Sequence, residues 1–464
     1  MRSLVSHLRY TIRRLVKSPG FTITAVLILG FGIGANTAIF SLVEGVLLKP
    51  LPYPHSERLV ELFEPSSNSP WFAFDYPDFE DYRENQHSFD SLALFFEDGF
   101  NVSGRNEPER VSGWYVSGDF FRVLGRPFLL GRPFGRDEDR PDVRPVVVIS
   151  EHLWKTRFGA DPNLIGANLA LDGKEFQVIG VTPPQANEEG IVDLFVPLGQ
   201  SKYFGTFVTT QRGSHNFGCV GRLRNGTTLN QAQTDLEVIR KNLADRYPVT
   251  NSPFGIRIVP YLDSVIGDYS STLWLIEGAV ACLLLITCAN VANLLLARTR
   301  ERRREISIRA AIGASRIRIT AQILAESFVL AVVGSLVGVV LSYSALGAIK
   351  ALTPSNIARF QEMHIDAGAL FFVLVITVLT ALLSGLFPAL ANSKRDLATA
   401  LNQDGDRGGT MGREQHRGQT ILVVAQVALT SILLIGAGLL VRSFQALQSV
   451  PLGFDARHVL TADL

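Results

Sequence analysis

The stretch from residue 273 to residue 351 decides the fold of this chain. It contains an apolar segment (residues 273–297), a basic connector that begins Arg298-Thr-Arg-Glu-Arg-Arg-Arg-Glu-Ile-Ser-Ile-Arg, and a second apolar segment (residues 323–349). An apolar segment of roughly 20 residues is long enough to cross a bilayer as a helix. Short loops that are rich in arginine stay on the cytoplasmic side. The pattern therefore predicts two transmembrane helices joined by a cytoplasmic connector, residues 298–320.

The connector carries a second signal. Its middle part, Glu305-Ile-Ser-Ile-Arg-Ala-Ala-Ile-Gly-Ala-Ser-Arg, has the pattern of a short amphipathic helix. We expect this helix to end near Gly313, because glycine readily adopts the left-handed conformation that closes a helix. A short helix on a cytoplasmic loop can receive force from another protein. The alternative is that the arginines only fix the orientation of the chain and bind anionic lipid headgroups.

Three further apolar segments, residues 21–48, 367–390 and 420–441, complete a predicted set of five spans. Residues 1–20 have the pattern of an amphipathic helix on the inner membrane surface, and the basic, glycine-rich residues 392–419 that of a flexible cytoplasmic linker. Five spans that start inside place both basic connectors in the cytoplasm and the large region between the first two spans outside. The chain is thus predicted to be a multi-pass protein of the inner membrane with a cytoplasmic N-terminus.

Small residues in the spans predict close helix packing. Gly334 and Gly338 form a GxxxG pair, and Gly385 and Pro388 are expected to end or kink the fourth span. The glycines of the first span superficially resemble part of a dinucleotide fingerprint, but no strand precedes them, so we interpret them as helix-packing positions; they are Gly30, Gly32 and Gly34.

Residues 49–270 form a large region in which acidic residues outnumber basic ones, in contrast to the connectors. Residues 146–150 predict a buried strand, residues 168–181 a hairpin around Asp172-Gly173, residues 231–247 an amphipathic helix, and residues 254–262 a strand. The fold class is therefore an α-helical transmembrane bundle with a large extracytoplasmic α/β domain, in which residues 119–207 are a possible inserted subdomain.

Composition excludes several classes of function. The net charge is +1, and the basic and acidic residues are predicted to lie on opposite sides of the membrane. They therefore form no single basic patch that could bind nucleic acid. The three cysteines do not form a disulfide framework. The histidines of residues 49–270 lie outside any H-E-x-x-H motif and no G-x-S-x-G elbow occurs, so an anchored hydrolase is disfavoured and we predict neither a catalytic residue nor a metal site.

The end of the chain repeats its beginning. Pro50-Leu-Pro-Tyr-Pro-His-Ser-Glu-Arg-Leu-Val follows the first span, and Pro451-Leu-Gly-Phe-Asp-Ala-Arg-His-Val-Leu follows the fifth. The repetition suggests a duplicated architecture in which residues 442–464 start a second extracytoplasmic unit. The sequence would then be a truncated product or part of a longer one.

Taken together, these motifs resemble the permease subunits of ATP-binding-cassette (ABC) systems of the MacB and FtsX type. Three stretches resemble the permease domain: residues 305–316, Ala325-Glu326-Ser327 with the paired glycines, and Gly385-Leu-Phe-Pro-Ala. Residues 154–166 and 176–184 resemble the periplasmic core domain, and the repeated unit is similar to the duplicated permeases of the acidobacterial type. The similarity covers almost the whole chain.

The resemblance implies a mechanism. A separate cytoplasmic ATPase would hydrolyse ATP, a coupling helix would receive its movement, and the spans would pass that movement to the periplasmic domain. The residues implied in this coupling are Glu305, Ile306, Ile308, Arg309, Ala310 and Gly313. The chain has no G-x-x-x-x-G-K-[ST] loop, so it would bind no cofactor directly and would depend on ATP used by a partner subunit.

The resemblance also implies partners. These are a cytoplasmic ABC ATPase, a second permease unit from a homodimer or another chain, and membrane lipids, with a membrane-fusion or outer-membrane protein as a further candidate. Efflux or extrusion is the function that the size of the outer domain favours. The alternatives are an FtsX-like regulator of an extracytoplasmic partner such as a cell-wall hydrolase, and an inactive truncated remnant.

Overall fold

The structure is a computed structural model that describes residues 11–67, 69–103, 107–183, 185–187, 190–267, 269–301, 316–352, 364–393 and 411–448. The chain divides into two compact units. The helical unit comprises the described parts of Met1–Glu44, Ser271–Ala351 and Met363–Leu464, and the sheet unit comprises those of Gly45–Ser270 and Leu352–Glu362.

The helices, numbered in chain order, are α1 (Pro19–Val43), α2 (Tyr76–Asn85), α3 (Phe120–Leu124), α4 (Glu151–Thr156), α5 (Phe207–Thr210), α6 (Leu229–Arg246), α7 (Pro248–Asn251), α8 (Tyr261–Ile266), α9 (Tyr269–Glu301), α10 (Arg316–Leu352), α11 (Ala367–Ser393) and α12 (Met411–Gln448). A π-helical turn, Glu44–Leu48, continues α1. Residues 11–16 are also helical.

The strands are β1 (Leu59–Phe63), β2 (Phe89–Ser103), β3 (Glu109–Val116), β4 (Leu130–Gly131), β5 (Val146–Ser150), β6 (Asn168–Leu171), β7 (Lys174–Thr182), β8 (Gln185–Asn187), β9 (Gly190–Val192), β10 (Leu194–Pro197), β11 (Gly218–Leu223) and β12 (Arg257–Pro260). Ten of them form one sheet in the order β12-β1-β11-β2-β3-β10-β5-β7-β4, in which β6 pairs with both β2 and β7. Strands β8 and β9 pair with each other.

Five helices of the described chain are long and apolar enough to cross a membrane: residues 19–48, 270–299, 320–351, 367–386 and 420–443. The first is the most enclosed, since 67% of its most apolar window is buried, against 0% for the fifth. Its residues Ala25, Leu29 and Ile33 are fully buried in a core shared with α9, α10 and α11. Helix α1 is therefore the centre of the helical unit.

The helices extend beyond the predicted spans. Helix α11 continues through Gly385 and Pro388 to Ser393, so these residues do not end it where the sequence suggested. A proline costs a helix one backbone hydrogen bond, and a membrane helix tolerates that loss where neighbours satisfy the freed group. Helix α12 begins at Met411, so residues 411–419 are helical although we expected them in the linker. Hydropathy marks the part of a helix that suits lipid and does not mark where the helix starts.

Local predictions in the sheet unit are confirmed. Strand β5 is buried at all five positions. Strands β6 and β7 form the expected hairpin, with Asp172 and Gly173 both at positive φ, as a tight two-residue turn requires. The predicted apolar face of α6 is buried at all four positions, namely Ala232, Leu236, Ile239 and Leu243. The last predicted strand is shorter than expected, because the chain turns into α8 at Tyr261.

Apart from the β8–β9 pair, the strands of residues 119–207 belong to the large sheet of the sheet unit. Strand β10 joins β3 in parallel, and β6 joins β2, so β2, β3, β10, β5, β7 and β6 pair in a closed circuit. One hydrophobic core contains residues from both predicted modules. These pairings join residues about 70 to 80 positions apart in the sequence, and such pairing leaves no local signal.

Candidate functional site

Helices α1 and α10 approach each other at glycines. A Cβ built on Gly338 would lie 3.0 Å from the backbone nitrogen of Gly34 and 3.1 Å from the carbonyl oxygen of Gly30. A Cβ on Gly334 would lie 2.7 Å from the Leu29 Cβ. The two helix backbones are thus nearly in contact, as small residues allow in membrane helix pairs. The interpretation of the first-span glycines as packing positions is confirmed.

Helices α1 and α9 also meet at a small residue and a polar contact. A Cβ on Gly32 would lie 2.7 Å from the Thr287 hydroxyl oxygen. The Asn36 side-chain amide donates to the carbonyl of Gly32 (2.9 Å) and to that of Val280 (2.8 Å). A buried amide that bonds across two helices fixes their relative height, since any slide would leave its donors unpaired. Helix α1 is therefore held in register with α9.

The glycine predicted to pack in the fourth span, Gly385, lies beside α10. A Cβ on Gly385 would lie 2.5 Å from the Ser327 hydroxyl oxygen, and Ser327 is fully buried. Pro388 lies within helix α11. At the opposite end of α11, the Phe372 ring stacks on Phe40 at a centroid distance of 3.9 Å. Helix α11 is thus packed against both α10 and α1.

The fifth span contacts the others through a polar pair. The Gln426 side-chain nitrogen donates to the Asn290 side-chain oxygen at 3.0 Å. Asn290 therefore hydrogen-bonds between helices, as polar side chains in apolar spans commonly do.

The predicted coupling residues lie outside the described residues, which stop at Glu301 and resume at Arg316. These residues are Glu305, Ile306, Ile308, Arg309, Ala310 and Gly313. The start of the second repeat, residues 451–460, lies outside them as well. Both remain predictions from the sequence.

The sheet unit contains a buried acid–histidine pair. Nδ1 of His215 lies 3.0 Å from Glu64 Oε2 and donates to the Ala73 carbonyl at 2.9 Å. Burial, with the charges of Asp78 and Asp75, raises the pKa of Glu64 to about 8, although the contact with His215 opposes this rise. Burial lowers the pKa of His215, but the close contact and charge of Glu64 and the bond to the Ala73 carbonyl outweigh it, and the net pKa is raised. A proton is therefore held at this pair at neutral pH.

A second buried charge cluster lies nearby. Asp75 caps α2 by accepting from the Asp78 amide at 2.7 Å, and its other oxygen accepts from the Gly213 amide at 2.6 Å. Arg212 forms ion pairs with Asp78 and Asp81, and Asn251 donates to Asp78. Burial raises the pKa of Asp78 to about 6, and the Asp75 charge adds to this, while Arg212 opposes it. The cluster ties α2 to the segment before β11 and to α7.

Two further histidines and the turn at residues 137–139 have structural partners. His152 lies 2.9 Å from Asp193, and His55 lies 3.4 Å from Glu57. In the turn at residues 137–139, Asp139 accepts from the amides of Gly118 (2.8 Å) and Gly199 (2.6 Å). No group of three potential metal ligands occurs in the part of the chain that the structure describes.

The buried charges of the sheet unit have no recognisable signal in the sequence. Glu64 follows strand β1 directly and His215 precedes β11, yet a single polar residue at a strand end predicts a turn as readily as a buried pair. Only the pairing of β1 with β11 brings the two together. A conserved pattern could have marked them, but a single sequence carries none.

Comparison with known proteins identifies both units. The model of the MacB-like periplasmic core domain matches residues 22–239, and that of the FtsX-like permease C-terminal domain matches residues 278–397. The sheet unit is therefore an extracytoplasmic domain and the helical unit a membrane domain.

Curated relatives and a solved structure are similar to part of the chain. The macrolide export ATP-binding/permease protein MacB of Burkholderia cenocepacia is 30% identical over 305 residues, covering 63% of this chain and 41% of the relative. The pyoverdine export ATP-binding/permease protein PvdT of Pseudomonas syringae is 28% identical over 307 residues, covering 62% and 43%. The chain thus spans less than half the length of these relatives. The periplasmic region of MacB from Actinobacillus actinomycetemcomitans matches with a TM-score of 0.35 at 15% identity, covering 49% of this chain and 95% of that structure.

Proposed function

We propose that this chain, which belongs to the MacB/FtsX-like ABC transporter permeases, is the permease subunit of an efflux system and passes movement from a cytoplasmic ATPase to its extracytoplasmic domain. The observation that carries this proposal is the order of its two matched domains. The periplasmic core domain is inserted between the first span and the remaining spans, so helices α1 and α9 connect it directly to the membrane bundle.

The packing of the helical unit supports a mechanical role. Helix α1 contacts α10 through Gly34 and Gly338 and contacts α9 through Asn36 and Val280. Close backbone contact and buried hydrogen bonds transmit displacement, since packed interiors are not continuously deformable. We propose that the bundle moves as connected helices, and that the extracytoplasmic domain acts on a molecule already outside the membrane.

The energy source is part of the proposal. The relatives are named ATP-binding/permease proteins, whereas residues 1–464 contain no phosphate-binding loop. We propose that ATP is hydrolysed by a separate cytoplasmic ABC ATPase and that the ATPase contacts residues 305–313 of this chain. A second permease unit would complete the assembly, in the inner membrane, with the connector and the N-terminus in the cytoplasm.

No residue of this chain identifies the transported molecule. The two relatives are named for the export of a macrolide and of pyoverdine, which are chemically different. We propose export as the activity, in company with a membrane-fusion or outer-membrane protein.

The test is a pull-down of the tagged chain from gently solubilised membranes, with the recovered proteins identified by mass spectrometry. We expect a cassette ATPase with the wild type and its loss with Arg309→Glu combined with Gly313→Pro. Arg407→Gln, in the other basic segment, is the matched control and should retain the ATPase. A well-inserted wild type that recovers no ATPase would refute the proposal. Recovery of a cell-wall hydrolase in place of an export partner would change the activity to regulation.

A further inference from the structure

The segment that leads into the first span, together with the first turn of α1, contacts both helices that flank the basic connector. Five residues make these contacts, and we call them the N-terminal clamp: Arg14, Ser18, Phe21, Arg298 and Glu326. Arg298 lies three residues before the end of α9 at Glu301, and α10, which carries Glu326, begins at Arg316. The clamp therefore joins the helix that enters the connector to the helix that leaves it.

Arg14 ties the N-terminal segment to α10. Its Nη1 lies 3.6 Å from Glu326 Oε1, and the two side chains are 17% and 9% exposed. Water and salt screen a pair this enclosed much less than a surface pair. Glu326 lies about 15 Å along α10 from Arg316, at a rise of about 1.5 Å per residue. The attachment is thus about three helical turns from the connector.

Arg298 ties the same segment to α9. Its guanidinium Nη2 donates to the Ser18 hydroxyl and lies 3.4 Å from the Arg14 carbonyl oxygen, and its Cζ lies 4.4 Å from the centre of the Phe21 ring. The Arg14 carbonyl belongs to the last turn of the helical residues 11–16. A cation at the C-terminal end of a helix is favoured there by the helix dipole and by the unpaired carbonyls. Arg298, on α9, therefore caps the C-terminal end of these helical residues.

The segment between the two attachments is rigid. The Thr22 hydroxyl donates to the carbonyls of Leu15 (2.8 Å) and Ser18 (3.0 Å), and the Ser18 amide donates to Leu15 at 3.1 Å. Leu15 is 4% exposed within the core of the helical unit. The turn that leads into α1 is thus fixed by hydrogen bonds and by packing, and force applied at either attachment reaches α1.

The surroundings of Glu326 are equally fixed. The next residue, Ser327, is fully buried beneath Gly385 of α11 and donates to the Ile323 carbonyl at 3.1 Å. The backbone next to Glu326 is therefore packed closely against α11. The pairing with Arg14 links the N-terminal segment to the packed part of the bundle.

We propose that the N-terminal clamp is a positioning device that makes α9, α10 and α1 move together when the connector is displaced. The inference rests on the proposed function, since the displacement comes from the ATPase. With the clamp intact, a displacement of the connector shifts the ends of α9 and α10 by the same amount and carries α1 with them. Without it, the two ends shift separately and the movement is lost within the bundle.

The test uses the full chain with its copurified ATPase in lipid nanodiscs. Hydrogen exchange of peptides from the sheet unit is measured in the nucleotide-free state and after trapping with ATP and vanadate. The variants are Arg14→Gln, Glu326→Gln and the exchanged pair Arg14→Glu with Glu326→Arg. Arg13→Gln removes the same charge from the exposed face of the same short helix and is the matched control.

We expect Arg14→Gln and Glu326→Gln to retain the ATPase and its hydrolysis but to reduce the nucleotide-dependent change in exchange by about fivefold or more, the size of a modest coupling energy. The exchanged pair should restore the change, and Arg13→Gln should leave it intact. A merely structural role would instead alter exchange in the nucleotide-free state.

Two results would overturn the clamp and leave the proposed function standing: single variants with the wild-type change in exchange, or an exchanged pair that fails to restore it. A wild type that shows no nucleotide-dependent change would refute the proposed transmission itself, and the role of the clamp with it. Arg14 is the more exposed partner, so Arg14→Gln keeps the test valid even if Glu326→Gln fails to fold.

Discussion

Replacement of Glu64 by glutamine should remove most of the pH dependence of the stability of the sheet unit. Glu64 is 2% exposed and lies against His215. Glutamine has nearly the same shape but no proton to release. The variant therefore keeps the packing of this site and changes its titration alone.

The magnitude follows from the raised pKa. Below pH 4.5 the carboxyl holds a proton in both the folded and the unfolded chain. Between pH 4.5 and the folded pKa of about 8, only the folded chain holds it, so each pH unit lowers the free energy of unfolding by about 1.4 kcal/mol. The stabilisation is thus complete at low pH and is lost as pH rises to 8, about 5 kcal/mol in all. The raised pKa values of His215 and Asp78 act in the same direction.

The assay is hydrogen exchange of the full chain in nanodiscs at pH 5 to 8, corrected for the intrinsic rate at each pH. Amides of β1 and β11 that exchange through opening of the whole unit report its stability. In the wild type their protection should fall by about tenfold per pH unit, the equivalent of about 1.4 kcal/mol. In Glu64→Gln this slope should become much shallower.

Glu84→Gln removes an exposed carboxylate from the neighbouring helix α2 and serves as the control. It should leave the wild-type slope unchanged. An identical slope in the wild type and in Glu64→Gln would show that Glu64 does not hold the proton, and the reasoning from its burial would fail.

Three further predictions concern other contacts. Gly338→Val must separate α10 from Gly34 and should reduce the stability of the helical unit by about 1–3 kcal/mol, measured as a lower temperature of thermal aggregation in detergent. Gly347→Val, on the same helix but facing open space, should leave that temperature unchanged. Arg212→Gln leaves Asp78 buried without its cation and should lower the free energy of unfolding by about 3 kcal/mol, measured by denaturant-dependent proteolysis. Arg140→Gln, which removes the cation of the exposed Arg140–Asp142 pair, should lower it by less than about 1 kcal/mol. Equal losses in the two variants would contradict the role of burial. Gly173→Ala forces a side chain to positive φ and should cost about 1 kcal/mol in the same assay, more than Gly135→Ala; the reverse order would refute the turn assignment.

The domain order of this protein was predictable, but the interior of the sheet unit was only partly so. Residues 168–181 carry their own turn signal, so the hairpin followed from the sequence. The strand pairing across residue 119 did not follow from the sequence: β10 pairs in parallel with β3, which joins residues 194–197 to residues 113–116. Neither segment contains a sequence feature that identifies the strand with which it pairs.

The sequence by itself determined the five apolar helices, the hairpin at Asp172-Gly173 and the buried face of α6, because each depends on residues close together in the chain. The tertiary structure alone decided that Gly34 meets Gly338, that Glu64 is buried with His215, and that Arg14 pairs with Glu326. These contacts join residues more than 100 positions apart. Local propensity and periodicity place each residue on a helix or strand, whereas the partner of each residue is set by how those elements pack.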